Sequence, residues 1–229
     1  GNESQRITDY IESILTTYEP GKRFGPSLPA RLAVRTFYKR GVKHRDGDLP
    51  AEIHYGSDGQ PRMERWFKNG KRHREGDKPA FIGRNKRYIT AEYYFKDDVL
   101  HRDGDKPATI TYAAKGIPRG REWFKNGLAN REGDKPTSIM ADIILGGDAS
   151  VIEYRKNNLL HREGDKPARI VLNTSGNIAL EQYYEDDMFH REGDKPVSIK
   201  YNNDGSIDKD HKLRYFIKGK EYTPEEVMV

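Results

Sequence analysis

The residues best suited to chemistry in this chain come in one block, and the block is written six times. His73-Arg74-Glu75-Gly76-Asp77-Lys78-Pro79-Ala80 returns unchanged at 161–168, and near-copies begin at His44, His101, Asn130 and His190. Each complete copy puts an imidazole, a guanidinium and two carboxylates within five residues. That is material for proton transfer, phosphate binding or metal ligation. A catalytic centre is needed once per chain, whereas a turn in a repeated scaffold is needed in every unit. Six copies therefore point to a structural block.

The individual chemistries fare no better. His-Arg-Asp at 44–46 and 101–103 resembles the catalytic loop of protein kinases, which needs an Asn five residues past the Asp, a Gly-rich loop and an Asp-Phe-Gly segment. After Asp46 and Asp103 the chain reads Gly-Asp-Leu-Pro-Ala and Gly-Asp-Lys-Pro-Ala, and the other elements are missing. Calcium takes six to eight oxygens, and each turn offers two carboxylates beside competing Arg and Lys. The five repeated His residues stand one per unit without a zinc spacing, so packing against an aromatic column is the expectation for them. His54 and His211 lie outside that column, with no evident partner. The chain has no cysteine, hence no thiolate ligand, cysteine nucleophile or disulfide. This fits a reducing, cytoplasmic setting. No catalytic residue, metal or cofactor is expected.

Two columns run through all six copies: Arg45, Arg74, Arg102, Arg131, Arg162 and Arg191, and Asp48, Asp77, Asp105, Asp134, Asp165 and Asp194. On a structural reading, Asp caps its own turn through backbone N–H groups, and Gly76, Gly104 and Gly164 supply positive φ. Arg then pairs with a carboxylate of the same or the next turn. On a nucleic-acid reading, Arg74, Arg102, Arg131 and Arg162 face phosphates, helped by Arg84, Lys86 and Arg87 beside Tyr88. That binding would weaken steeply with salt. The net charge of +5, from 41 basic and 36 acidic residues, is too small an excess to decide.

The elements that position these columns repeat with them. The blocks are spaced by 29, 28, 29, 31 and 29 residues, a period that marks a repeat array. Within a unit, Pro opens an alternating run such as Pro50–Tyr55, Pro107–Tyr112 or Pro196–Tyr201, which has strand period. A turn follows, and then a second strand ending in two bulky residues. Asn69-Gly70, Asn126-Gly127, Asp97-Asp98, Asn157-Asn158 and Asp186-Asp187 then make tight hairpin turns of the kind that needs positive φ. A first column reads Phe37, Trp66, Tyr94, Trp123, Tyr154, Tyr183, Tyr215. A second reads Tyr38, Phe67, Phe95, Phe124, Arg155, Tyr184, Phe216. Neighbours on a strand face opposite ways, so either the sheet is covered on both sides or one column is partly exposed.

The ends and the fourth unit depart from the pattern. Ile7, Tyr10, Ile11, Ile14, Leu15 and Tyr18 fall on one helical face that Pro20 and Gly21 end, giving residues 1–24 as a capping helix and linker ahead of an array over 25–229. The hydrophobic fraction is low at 34%, but the aromatics fall at fixed spacing, which argues against disorder. No apolar run is long enough to cross a membrane. The chain begins without Met, which leaves a removed leader open. Unit four has Asn130 for His, two extra residues, and a run that is apolar on both strand faces through Ile139, Met140, Ile143, Ile144 and Leu145. That run predicts a contact with a helix, a second copy or a protein partner.

Units of the form Trp/Tyr-Phe/Tyr-Lys-Asn-Gly-Lys-x-His-Arg-Glu-Gly-Asp-Lys-Pro-Ala, closed by Ile217–Glu226, resemble tandem repeats of large DNA viruses, some phages and some bacteria. These are grouped as variants of the membrane occupation and recognition nexus (MORN) repeat. The resemblance spans about Pro29 to Glu226 and implies an elongated β-hairpin array acting as an interaction or assembly scaffold. The unit is longer than that repeat's usual one, and the His-Arg/Gly-Asp turn is its own, so membrane binding is not carried over. The expectation is an all-β array of about seven hairpin units, an elongated twisted sheet or open solenoid. It would bind a protein partner, perform no catalysis and be able to self-associate through edge strands; a viral protein fits. Nucleic-acid binding is the alternative, followed by an enzyme of unrecognised class.

Overall fold

The structure is a computed structural model and describes residues 34–113, 116–142, 149–193, 195–211, 213–223 and 226. The expected helix at Ile7–Tyr18, the apolar Ile143, Ile144 and Leu145, and Asp194 lie outside the described residues.

The described chain is nearly all β. Twelve short strands form one antiparallel sheet in strict sequence order. They are Val34–Thr36, Glu52–Tyr55, Pro61–Arg65, Phe81–Arg84, Ile89–Tyr93, Thr109–Tyr112, Pro118–Glu122, Ser138–Asp142, Ala149–Glu153, Arg169–Leu172, Ile178–Gln182 and Ser198–Lys200. Seven separate two-stranded hairpins, from Tyr38–Lys43 to Tyr215–Tyr222, carry the tight turns. Those turns have positive φ at both central residues, as at Asn69 (50°) and Gly70 (84°), or Asp97 (52°) and Asp98 (70°). This is the geometry the Asn-Gly sequences favour.

The second strand does not run on into the hairpin, as the sequence pattern suggests. It breaks at the first aromatic column, and that residue serves both sheets. The Trp66 N–H bonds the Ala80 carbonyl across the large sheet at 2.8 Å, while its own carbonyl accepts the His73 N–H of its hairpin at 3.2 Å. Phe37, Tyr94, Trp123, Tyr154 and Tyr183 repeat both bonds. Each aromatic residue is thus the joint where the chain leaves one sheet for the other.

Register assigns side chains to faces. Directly paired residues share a face and successive residues alternate. One face carries the first aromatic column, alternating across the strands with Ala51, Ala80, Ala108, Thr137, Ala168 and Val197, all at 0–1% exposure. Beside this row on the same face runs one isoleucine per unit: Ile53, Ile82, Ile110, Ile139, Ile170 and Ile199. Trp66 with Ala80 and Ile82, and Tyr183 with Val197 and Phe216, are its clearest clusters. The first column is therefore the buried one; Trp66, Tyr94, Trp123, Tyr183 and Tyr215 are 6–8% exposed. The second column is mostly half-buried, and Tyr38 is open to solvent.

The opposite face is a single open layer. The main contacts between elements run between sheet neighbours, within hairpins and between successive hairpins, so no described element packs extensively across it. In four units a register shift ends the strand pairing, at Tyr55, Arg84, Tyr112 and Leu172. Unit four has none. There the pairing continues in register to Asp142 and Ala149.

Candidate interaction surface

The repeated block builds a ladder between units. Arg74 lies 3.8 Å over the Trp66 ring of its own unit and donates to its own Pro79 carbonyl. It also forks onto both oxygens of Asp48 in the preceding turn, at 2.7 and 3.2 Å. Lys78 adds a third bond to Asp48 at 2.7 Å. The set recurs as Arg102 and Lys106 on Asp77, Arg131 and Lys135 on Asp105, Arg162 and Lys166 on Asp134, and Arg191 and Lys195 on Asp165. Each guanidinium rests 3.6–3.9 Å from its aromatic ring. These carboxylates accept from the next unit's Arg and Lys instead of capping their own turns, and Arg always reaches back to the preceding turn. Arg, then Lys, hold Asp77 and Asp165 down at about 2, and Asp48, Asp105 and Asp134 lower still. Gly76, Gly104 and Gly164, with φ of 77°, 73° and 80°, let the chain turn before each Asp.

The histidines link neighbouring hairpins, where sequence reasoning expected ring packing. Nδ1 of His44, His101 and His190 accepts the N–H of Asn69, Asn126 and Lys218 in the next hairpin turn, at 3.0–3.1 Å. Before the Asp-Asp turns, His73 and His161 instead set Nδ1 against the carboxylates of Asp97 and Asp186. Asn130 does the same work by donating to Asn157 at 3.2 Å. His54 and His211 have partners after all: Glu52 at 2.7 Å and Ser198 at 3.3 Å.

Of the residues a nucleic acid would need, Arg74, Arg102, Arg131 and Arg162 are only 14–15% exposed and fully engaged in the ladder. Arg84 pairs with Glu64 at 2.9 Å on the Arg-covered face. Lys86, Arg87 and Tyr88 are exposed on the turn that follows, whose backbone is held by Asn85. Shallow notches of about 360 Å³ lie between successive turns, one lined by Trp66, Phe67, Lys68, Arg74 and Glu75 and another by their equivalents around Trp123. Among the described residues no group of three His, Asp or Glu side chains is placed to hold a metal ion, and no helix is long and apolar enough to cross a membrane.

The open face is different in kind. Its row nearest the hairpins reads Glu52, Arg65, Phe81, Tyr93, Thr109, Glu122, Ser138, Glu153, Arg169, Gln182 and Ser198. Each unit solves the row in its own way. Glu52, buried, gathers Lys43, His54 and Arg65; burial pushes its carboxyl up, but its hydrogen bonds from Lys43 and His54 and the charges of Lys43 and Arg65 outweigh that and hold it at about 2. Phe81 and Tyr93 stack at 4.8 Å. Thr109 donates to Glu122 at 2.8 Å, and Arg169 to Gln182 at 2.7 Å. The parallel row reads His54, Met63, Gly83, Ala91, Thr111, Gly120, Met140, Val151, Val171, Leu180 and Lys200. Gly120 allows Met140 and Thr111 to close over it; a Cβ there would sit 2.5 Å from the Met140 sulfur.

Of the residues singled out from sequence in unit four, Met140 is on this open face and 39% exposed, while Ile139 lies on the Arg-covered face. The open-face rows were missed. The signal that could have found them is variation at alternate strand positions between otherwise uniform units. No protein-family model matches the chain, and a search of curated proteins finds no match.

Proposed function

We propose that this protein is a non-enzymatic scaffold that binds a protein partner through the open face of its sheet. One observation carries the reading. The aromatic, small-residue and isoleucine positions of the Arg-covered face hardly change along the chain, whereas most positions of the open face differ from unit to unit. A scaffold needs its framework constant and its contact surface varied, and a broad rigid sheet offers cross-strand patches of mixed charge and aromatic character. The likeness to the MORN-type array supports an interaction or assembly role, with a viral origin fitting it. We propose further that the Ile7–Tyr18 segment is a capping helix over the first edge or face of the sheet.

The test is cross-linking from photoreactive residues placed singly at Tyr93, Thr111 and Arg169 on the open face, and at Glu75 and Lys106 on the turn edge. Protein adducts should form from the first set, survive nuclease and be absent from the second. Adducts confined to the turn edge, or retention of nucleic acid alone that salt abolishes, would sink the reading in favour of the arginine and Lys86–Arg87 alternative.

A further inference from the structure

We propose that the open face across units four and five is a homodimer contact, in which a second copy packs the same face against it. The inference rests on the reading of the open face as an interaction surface and names the partner for one part of it.

The observations are local to four adjacent strands. Across Ser138–Asp142, Ala149–Glu153, Arg169–Leu172 and Ile178–Gln182 the second open-face row is Met140, Val151, Val171 and Leu180, without a polar interruption. No other stretch of that row is aliphatic for four strands. Beneath it, Ile152 stands where other units carry Glu64, Glu92, Arg121 or Glu181, so here both faces are apolar. Half-buried aliphatics on a single-layer sheet are stabilised by a second sheet about 10 Å away.

The order of these residues selects what that second sheet is. Consider a two-fold axis lying between two such faces, parallel to the strands, and passing between the paired residues Val151 and Val171. It sets Val151 against the other copy's Val171, and Met140 against the other copy's Leu180. In the neighbouring row it sets Glu153 against Arg169 and Ser138 against Gln182. Glu153 and Arg169 already pair within each copy at 3.5 Å, and Arg155 also holds Glu153. Setting each against its opposite in the other copy closes the two pairs into one alternating four-charge ring in which no like charges face each other. Moving the axis one strand toward the C-terminus puts Val151 on Lys200. Moving it one strand the other way leaves Leu180 on Thr111 and Val171 on Gly120. Only the central position matches all four aliphatic residues. Three strand spacings span only about 14 Å, well below a standard interface, so the association is expected to be on the order of micromolar.

Sedimentation velocity of the full chain, from low to several hundred micromolar, tests this. Wild type should show a concentration-dependent dimer. Glu153→Arg or Arg169→Glu alone should weaken it at least tenfold, and the double swap should restore it. Val171→Asp should abolish it while circular dichroism and the melting curve show the fold intact. A wild type that stays monomeric throughout, or a dimer indifferent to Glu153→Arg and Val171→Asp, overturns the proposal. So does a monomer in which Val171 cross-links to residues 7–18 of its own chain. If the wild type is monomeric while Thr111 still cross-links a foreign protein, the homodimer fails and the scaffold reading stands. If neither dimer nor adduct forms, both fail.

Discussion

Ile82 and Phe81 are neighbours on one strand and answer to different constraints. The position of Ile82 is Ile in all six units, at 53, 82, 110, 139, 170 and 199; the position of Phe81 is Glu, Phe, Thr, Ser, Arg and Ser. Ile82 packs beside Trp66 and Ala80 under a guanidinium that must stack on a ring and fork onto the preceding turn at once. Changing any member disturbs a contact with the preceding unit. Phe81 stacks on Tyr93 and lies beside Arg65 on the face across which no other described element is laid. Its constraint is local to a pair of strands and can be met by a ring stack, an ion pair or a hydroxyl. Uniformity along the chain therefore reports coupling between units, and variety reports freedom from it.

The largest expected effect tests that contrast on one strand pair. Trp66→Ala removes a ring that is 6% exposed, carries the Arg74 stack and donates its Nε1–H to the Asp48 carbonyl of the preceding turn, and should destabilise by about 3–5 kcal/mol in urea denaturation. Phe81→Ala, with its ring half-buried on the open face, should cost no more than about 1–2 kcal/mol. Equal losses would erase the distinction between the faces.

The ladder comes next. Arg102→Ala removes a stack on Tyr94, a bond to Pro107 and a fork onto Asp77, and should cost about 2–3 kcal/mol. Arg102→Lys should recover less than half, because an ammonium cannot stack and fork together. A double-mutant cycle with Asp77→Asn should show positive coupling, whereas the same cycle between Arg102 and Thr111 on the open face should show none beyond error.

Acid should attack the constant edge first. The ladder carboxylates are held below their ordinary value by Arg and Lys, so their contribution is fully present above about pH 4 and fades as pH falls through their folded values, near 2 for Asp77 and Asp165. Hydrogen exchange should show the ladder turns opening between about pH 4 and 2. Asp165→Asn should flatten that dependence in its own turn. A turn that stays closed and insensitive to pH down to about 2 would show that the fork does not hold it.

Much of this framework is readable in the residues themselves. Alternation after each Pro, the Asn-Gly turns and the recurrence of His-Arg and Gly-Asp specify strands, hairpins and inter-turn pairing without coordinates. Two things are not readable. The break at Trp66 depends on which of its backbone groups meets which sheet, and hydrophobic period is blind to that. The direction of the Arg–Asp pair depends on how far one unit is offset from the next, a distance no local pattern encodes. The open face escaped notice for a simpler reason: a search for recurring residues looks past positions whose information lies in their differences. Unit four shows the mixed case. Its apolar run is plain in the sequence, but that the strand pairing there stays in register as far as Asp142 and Ala149 is seen only in the structure.

The smallest effect asks how literal the constant edge must be. His101 is tied to the next hairpin by accepting the Asn126 N–H, at an exposed turn where water can replace a lost partner. His101→Ala should therefore cost about 1 kcal/mol or less. His101→Asn should cost still less, because an amide oxygen can accept the same N–H, and Asn130 already serves the equivalent position against Asn157. Neither change should alter cross-linking from the open face. If His101→Asn destabilises as much as the alanine variant, the imidazole is needed for its ring and its contact with Asp103. The tolerance seen at unit four would then belong to the pairing of Asn130 with Asn157 and not to the edge as a whole.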